Sequence, residues 1–315
     1  MIKTAFKFSD EAVSVPFEDF RNNRIIVANR LAETYYGGNT IPRSPDGFPV
    51  GFGRNSQQVL VPAFMAAYTG FISNKKGEDA ATVSTGLLRN IPIPNWTIKY
   101  TGLMRYEFFK EKFKRFSLQH AYKSSYTLNS FRSNLNTSPT DSNGNFYAST
   151  LVSNVNLVEQ FSPLLRLEFE TKSSFQAKLE MKKDRALSLS FDNNLLTEVK
   201  GEEFVVGFGY RIKDVTFASK MADNGSNVIK SDINLKADFS WRNNKTIVRN
   251  LDYNNNQLGG GQNLWSLKVT ADYAFSKSLK AIFYYDHSFS KAVISTSFPL
   301  TNIRSGFTIR YEFGN

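Results

Sequence analysis

From residue 163 to the end of the chain, apolar and polar side chains alternate with a period of two, and that spacing is the signature of a β-strand. Leu165, Leu167 and Phe169 alternate with Arg166, Glu168 and Glu170, and Phe175, Ala177 and Leu179 with Gln176, Lys178 and Glu180. Phe204, Val206, Phe208 and Tyr210 follow, then Ile233 to Trp241, Trp265 to Tyr273, Leu279 to Tyr285 and Phe307 to Phe313. An earlier stretch, 116–131, keeps one long polar side from Ser117 to Asn129. A soluble sandwich also alternates, because one face packs on a core. Three features favour a transmembrane barrel instead. Several strands run ten residues or more, beyond the usual five or six or so. Their polar sides carry charges of both signs, such as Lys236 with Asp238. Aromatics gather near the expected strand ends, like interface girdles: Phe239 and Trp241, Trp265 and Tyr273, Tyr285, Tyr311 and Phe313. The expected fold is all-β: antiparallel strands of an outer-membrane barrel, roughly a dozen of them.

The first part of the chain breaks this pattern. Phe17 to Arg30 suits a short helix with acidic residues at its start. Residues 37–62 are rich in Gly and Pro and predict an ordered loop. Val59 to Tyr68 suits a short helix with Pro62 in its first turn. The organisation expected is therefore a mixed loop and short-helix segment over 1–78, periplasmic or associated with the lumen, and barrel strands over 79–315. Within the second part, 82–88 predicts a weak strand, 96–102 a strand, 106–113 a brief helix, 132–150 a polar loop and 151–158 a short strand. Tight turns are expected at 173–174, 242–244 and 276–278. Long loops are expected at 221–231 and 252–263, with Gly259-Gly260-Gly261 as a flexible part. Short turns on one rim and long loops on the other fit an outer-membrane barrel.

Several function classes are disfavoured. The chain has no cysteine, so disulfides, thiol nucleophiles and Cys-based metal sites are excluded. His120 and His287 are isolated, and each is expected to be structural. Gly207 and Gly209 lie within a strand pattern and lack a nucleotide-loop spacing, so close packing or lumen clearance is expected there. No enzyme constellation, cofactor site or metal site is expected. The formal charge of +11 is spread along the chain rather than gathered in one patch, which argues against nucleic acid. No run of 18 apolar residues predicts a membrane helix, and no apolar signal-peptide core follows Met1. An outer-membrane protein needs such a signal, so the chain is either soluble or a part of a longer precursor, and the later segments favour the part.

Specific segments add to this. Residues 51–64 (GFGRNSQQVLVPAF) with 67–70 (AYTG) resemble the C-terminal region of the SprA/Sov family, the giant outer-membrane translocons of the type IX secretion system. Residues 91–103 (IPIPNWTIKYTGL), 117–131 (SLQHAYKSSYTLNSF), 204–217 (FVVGFGYRIKDVTF) and 294–313 (ISTSFPLTNIRSGFTIRYEF) are similar to the same family, as are 237–240 with 244–247. The resemblance covers most of the chain in order. It implies one arc of a very large barrel, completed by the remainder of that barrel. It implies export of folded cargo bearing a C-terminal signal, with a PorV-type partner barrel at a lateral opening and a plug protein on the periplasmic side. Outer-membrane lipid would surround the wall. The lumen-facing candidates are Lys123, Lys236, Asp238, Arg242, Lys268 and Asp272, which would keep a wide channel wet, or would simply be the hydrated side of the strands. Phe48, Phe52 and Arg54 are candidate contacts for the partner or plug. The competing readings are a self-contained porin or solute transporter, and a β-rich surface adhesion module. An outer-membrane enzyme lacks a nucleophile–base pair and is the weakest.

Overall fold

A computed structural model describes residues 9–10, 12–69, 78–88, 93–136, 138–218, 228–253, 255–275, 279–294 and 298–312. Its elements are helices α1 (Val15–Tyr36), α2 (Gln57–Thr69), α3 (Glu78–Thr82) and α4 (Glu107–Lys112), with strands between and after them. The strands are β1 (Trp96–Tyr100), β2 (Phe113–Asn129), β3 (Arg132–Ser133), β4 (Thr150–Leu151), β5 (Asn154–Thr171), β6 (Phe175–Ser190), β7 (Leu195–Ala218), β8 (Val228–Asn250), β9 (Asn256–Ala274), β10 (Leu279–Ala292) and β11 (Leu300–Tyr311). Nine of them form one antiparallel sheet in the order β1-β2-β5-β6-β7-β8-β9-β10-β11. β3 and β4 pair only with each other. The large sheet is open: β1 and β11 are its two edges.

Strand length is the main departure from the sequence reading. β7 and β8 run 24 and 23 residues. The expected tight turn at 242–244 lies inside β8, where Arg242, Asn243 and Asn244 pair with Glu203, Glu202 and Gly201. Its polarity belongs to a strand that continues past its apolar part, not to a chain reversal. The expected loop at 252–263 is mostly strand, since β9 begins at Asn256. Within it, Gly260 pairs with Thr246 and Leu258 with Ile247, so Gly259 is the extra residue of a bulge. At Gly261 φ is +150° and a Cβ would lie 2.4 Å from the Asn244 carbonyl oxygen, so glycine serves a bend there, not a flexible loop. Of the expected strand at 151–158, Leu151 ends β4 and residues 154–158 begin the 18-residue β5, which passes Pro163 at an irregularity between Phe161 and Leu165. A bulge is where a strand tolerates proline. The 82–88 strand is absent; Thr82 ends α3 and bends follow. Residues 228–231, expected as loop, begin β8. The 276–278 turn and Phe313 lie outside the described residues, as does most of the expected 221–231 loop.

α1 is longer than expected. The Ser14 hydroxyl accepts from the Phe17 N–H at 3.4 Å at its start, and Gly37, at φ 58°, donates to the Glu33 carbonyl at its end. These are a side-chain N-cap and a left-handed C-cap. α2 is apolar all round, and every residue from Val59 to Thr69 is buried. Pro62 is six residues in, past the first turn.

The two helices cover one end of the sheet. Phe17, Phe20, Leu60, Phe64 and Met65 pack against Val155, Leu157, Leu187, Leu189 and Leu196. The Phe20 and Phe64 rings meet edge to face at 5.9 Å. Each such side chain contributes roughly 1.5–3 kcal/mol on burial, so this contact fixes the helical unit to the sheet. Polar ties finish the join. Arg24 donates to the Leu251 carbonyl at 3.1 Å, and Asn55 and Asn194 both donate to Asp252. Burial among these groups lowers the Arg24 pKa to about 10. The loop before β5 is fastened as well: Gln57 donates to the Thr150 carbonyl and accepts from the Val152 N–H, both at 2.8 Å.

Two opposed faces as the candidate functional site

Residues directly paired across an antiparallel ladder share a face. Lys123 pairs with Gln160, Gln160 with Asp184, Asp184 with Gly201, and Gly201 with Asn244. Arg242, Asp238 and Lys236 lie two, six and eight residues before Asn244 on β8 and so share its face. Lys268 pairs with Asp238, and Asp272 with Asn234. All six charged candidates therefore occupy one face of the sheet.

That face is an ion-pair lattice. Glu180, only 2% exposed at its side chain, accepts from Arg166 at 2.7 Å, with Lys178 and Lys182 at 4.0 and 3.9 Å. Lys182 reaches Glu203 at 3.5 Å. Arg242 bridges Glu203 at 3.2 Å and Asp184 at 2.9 Å. Lys178 meets Asp238 at 3.9 Å, and Arg304 meets Asp286 at 3.2 Å. Of this network the lumen-facing candidates included only Arg242 and Asp238; Arg166, Lys178, Glu180, Lys182, Asp184 and Glu203 were not among them, although parity on β5, β6 and β7 could have found them. Gly207 and Gly209 lie on the same face. A Cβ on Gly207 would stand 2.4 Å from Asp238 Oδ1, so the missing side chain lets Asp238 lie across β7.

The opposite face is apolar over a defined height. Its residues run Phe204–Ile212 on β7, Ile233–Trp241 on β8, Trp265–Tyr273 on β9 and Ile303–Tyr311 on β11, nine residues in each strand. On β10 it spans Leu279–Phe289 with His287 as its polar member, and on β11 Ser305 interrupts it. Leu179, Leu167, Phe169 and Phe116 extend it across β6, β5 and β2. Many of these side chains face solvent, including Phe208 at 50% and Phe307 at 61% exposure. One margin of the band is a row of aromatics in register. Phe204 pairs with Trp241, Trp241 with Trp265, and Trp265 with Phe289. Phe204 stacks on Trp241 at 5.8 Å, and Trp265 on Phe289 at 5.7 Å. Trp241 and Trp265 are not at strand ends, as expected, but at the end of the apolar stretch; β8 continues to Asn250. His287 lies edge-on to Trp265 at 4.8 Å, and His120 bonds the Leu164 carbonyl at 2.6 Å. Both are held structurally.

Beyond the aromatic row, on this same face, come Lys183, Glu202, Asn243, Asn263 and Lys291, then a buried triad, then the helices. Glu198 receives Arg249 Nε and Arg185 at 3.1 Å each, with all three side chains at most 2% exposed. Arg185 lies 5.2 Å from the Tyr68 ring centre and Arg249 5.6 Å from that of Phe17. Burial raises the Tyr68 pKa. The triad was not anticipated, because its members are far apart in sequence.

The candidate partner contacts are placed differently from expectation. Phe48 and Phe52 are buried with Ala28, Ala32 and Val59, so within this chain they pack the helical unit. Arg54 remains partly exposed, but its Nε bonds Asp46 at 2.9 Å and its guanidinium lies over Phe48.

Among the described residues, no group of three or more acidic or histidine side chains could hold a metal, and no helix is long and apolar enough to cross a membrane. No protein-family model matches the chain, and no curated protein sequence matches it.

Proposed function

We propose that this chain is an arc of an outer-membrane barrel wall, with the apolar face against lipid and the ionic face against a water-filled, protein-conducting lumen. One observation carries the reading: apolar bands nine residues long, in register across β7, β8 and β9, edged by aromatics and continued on β10 and β11, lie opposite a face that carries an ion-pair network over β5–β8. A membrane strand needs about 9–11 residues to cross, flanked by aromatic girdles. A soluble sheet would bury such a band, because exposed apolar patches of this extent are unusual on soluble monomers.

The open edges favour an arc over a self-contained porin. β1 pairs only with β2, and β11 only with β10, among the described residues. Unpaired backbone groups are untenable in hydrocarbon, so other strands must complete the ring. A wide ring lined by mixed charges suits passage of large hydrated cargo. The similarity to the type IX translocons supplies the specific reading: export of folded cargo with a C-terminal signal, alongside a PorV-type barrel and a plug. The six lumen candidates then wet and screen the wall; none is catalytic.

The test is purification of the assembly from native membranes under mild detergent. The expected result is a complex containing further barrel strands beyond these nine. Recovery of this polypeptide alone as a closed, conducting pore would overturn the arc in favour of the porin. Recovery in the aqueous fraction would overturn the membrane reading.

A further inference from the structure

The helical unit and the apolar band are on the same face of the sheet. On β6, Leu187 and Leu189, which touch the helices, have the parity of Leu179 and Met181 in the band. On β7, Leu196 has the parity of Phe204 and Phe208, and the β6–β7 register is unbroken between them. The ionic face behind carries none of the helix-contacting strand residues named above.

We infer that α1 and α2 form a collar on the outer wall of the barrel, just clear of one membrane surface, and not a plug inside the lumen. The inference rests on the membrane reading proposed above. If lipid meets the apolar face, whatever packs higher on that face is outside the wall.

The heights agree. Leu187 lies six residues beyond Met181, and Leu196 eight residues from Phe204. At about 3.3 Å per residue and a tilt of about 40°, that is a rise of roughly 15–20 Å above the aromatic row. The headgroup layer is about 5–8 Å thick on each side. The helix-contacting leucines therefore lie about 7–15 Å beyond it. The residues in the gap, Lys183, Glu202, Asn243, Asn263 and Lys291, are the polar ones that headgroups require. The lowest part of the collar is the segment before α1: Lys200, four residues from Phe204, donates to the Ser9 carbonyl, and Ser9 Oγ donates to Glu198 Oε2 at 3.0 Å. Val13 and Val15 are exposed beside it and would face the lipid surface.

The chain has no cysteine, so each introduced cysteine is the one labelling site in these 315 residues, and the assembly without it gives the background to subtract. Val13→Cys, Phe208→Cys and Asp238→Cys would each carry a fluorophore in the intact assembly, reconstituted in bilayers with nitroxide-labelled lipid. Phe208 should be quenched several-fold by acyl-chain labels, Val13 by headgroup labels, and Asp238 by neither. Val13 as unquenched as Asp238, with Phe208 still quenched, would overturn the collar and leave the membrane reading intact. Phe208 unquenched by acyl-chain labels would overturn both.

Discussion

Glu198 accepts a hydrogen bond from Arg249 Nε at 3.1 Å, with neither side chain reachable by water. Its other oxygen faces Arg185, so one carboxylate holds two guanidiniums where the helices meet the sheet. Removing one partner of a buried ion pair strands the other charge, typically at about 3–5 kcal/mol. Glu198→Ala strands two. The expected outcome is release of the helical unit, read as new protease cleavage in α1 while the strands stay protected. Replacing all three members by apolar residues should be far milder, because no charge is left unpaired. A triple variant as fragile as Glu198→Ala would contradict this account.

The two faces predict opposite tolerances. Phe208 is at the middle of the apolar band on β7, and Lys236 is on the ionic face of the neighbouring β8. An arginine facing lipid near the midplane costs about 2–4 kcal/mol, so Phe208→Arg should lower the denaturant midpoint markedly. Lys236→Ala removes a solvated charge and should change it by less than about 0.5 kcal/mol. Urea unfolding in lipid vesicles measures both. Equal effects would mean that the faces are not solvated differently.

The faces were legible because alternation survives any uncertainty about pairing: Lys236, Asp238 and Arg242 share a parity whatever lies beside them. Strand ends were not legible. Arg242-Asn243-Asn244 is locally indistinguishable from a turn, and only pairing with Glu203, Glu202 and Gly201 keeps it extended. Likewise Gly259-Gly260-Gly261 has loop composition, yet bends within a ladder. The helical unit was half legible. The α2 segment is apolar enough to predict burial, but Phe48 and Phe52 looked like exposed loop aromatics until the partners that bury them, Ala28, Ala32 and Val59, came together in space.

Gly51 should be among the least replaceable residues of the 37–56 loop. Its φ is +85°, and a Cβ would lie 2.1 Å from the Phe146 ring. The Gly51 carbonyl also accepts from the Phe146 N–H at 2.8 Å, so neither chain can retreat without losing that bond. Gly47 has a similar φ of +83° but open space around it. Gly47→Ala should cost only the conformational strain, about 1 kcal/mol. Gly51→Ala should cost more, and should also loosen Phe146 from Phe52. A thermal melt comparing the two variants tests the difference; equal shifts would show that the ring moves freely.

Acid should loosen the same loop by a separate route. The Ser44 hydroxyl, Arg54 and the Phe48 N–H all favour the charged form of Asp46 and hold its pKa below the usual aspartate range. A carboxylate with a depressed folded pKa contributes its stability above its unfolded value, about 3.9, and loses it as pH falls through the lower folded value. The loop should therefore be equally protected at pH 7 and pH 5, and should open progressively below about pH 4. Hydrogen exchange at the Phe48 and Gly47 amides, corrected for intrinsic rate, measures this. Asp46→Asn should keep part of the hydrogen bonding but lose the Arg54 pair, so it should begin less protected and show no step near pH 4. A step that persists in Asp46→Asn would assign the acid sensitivity to another group.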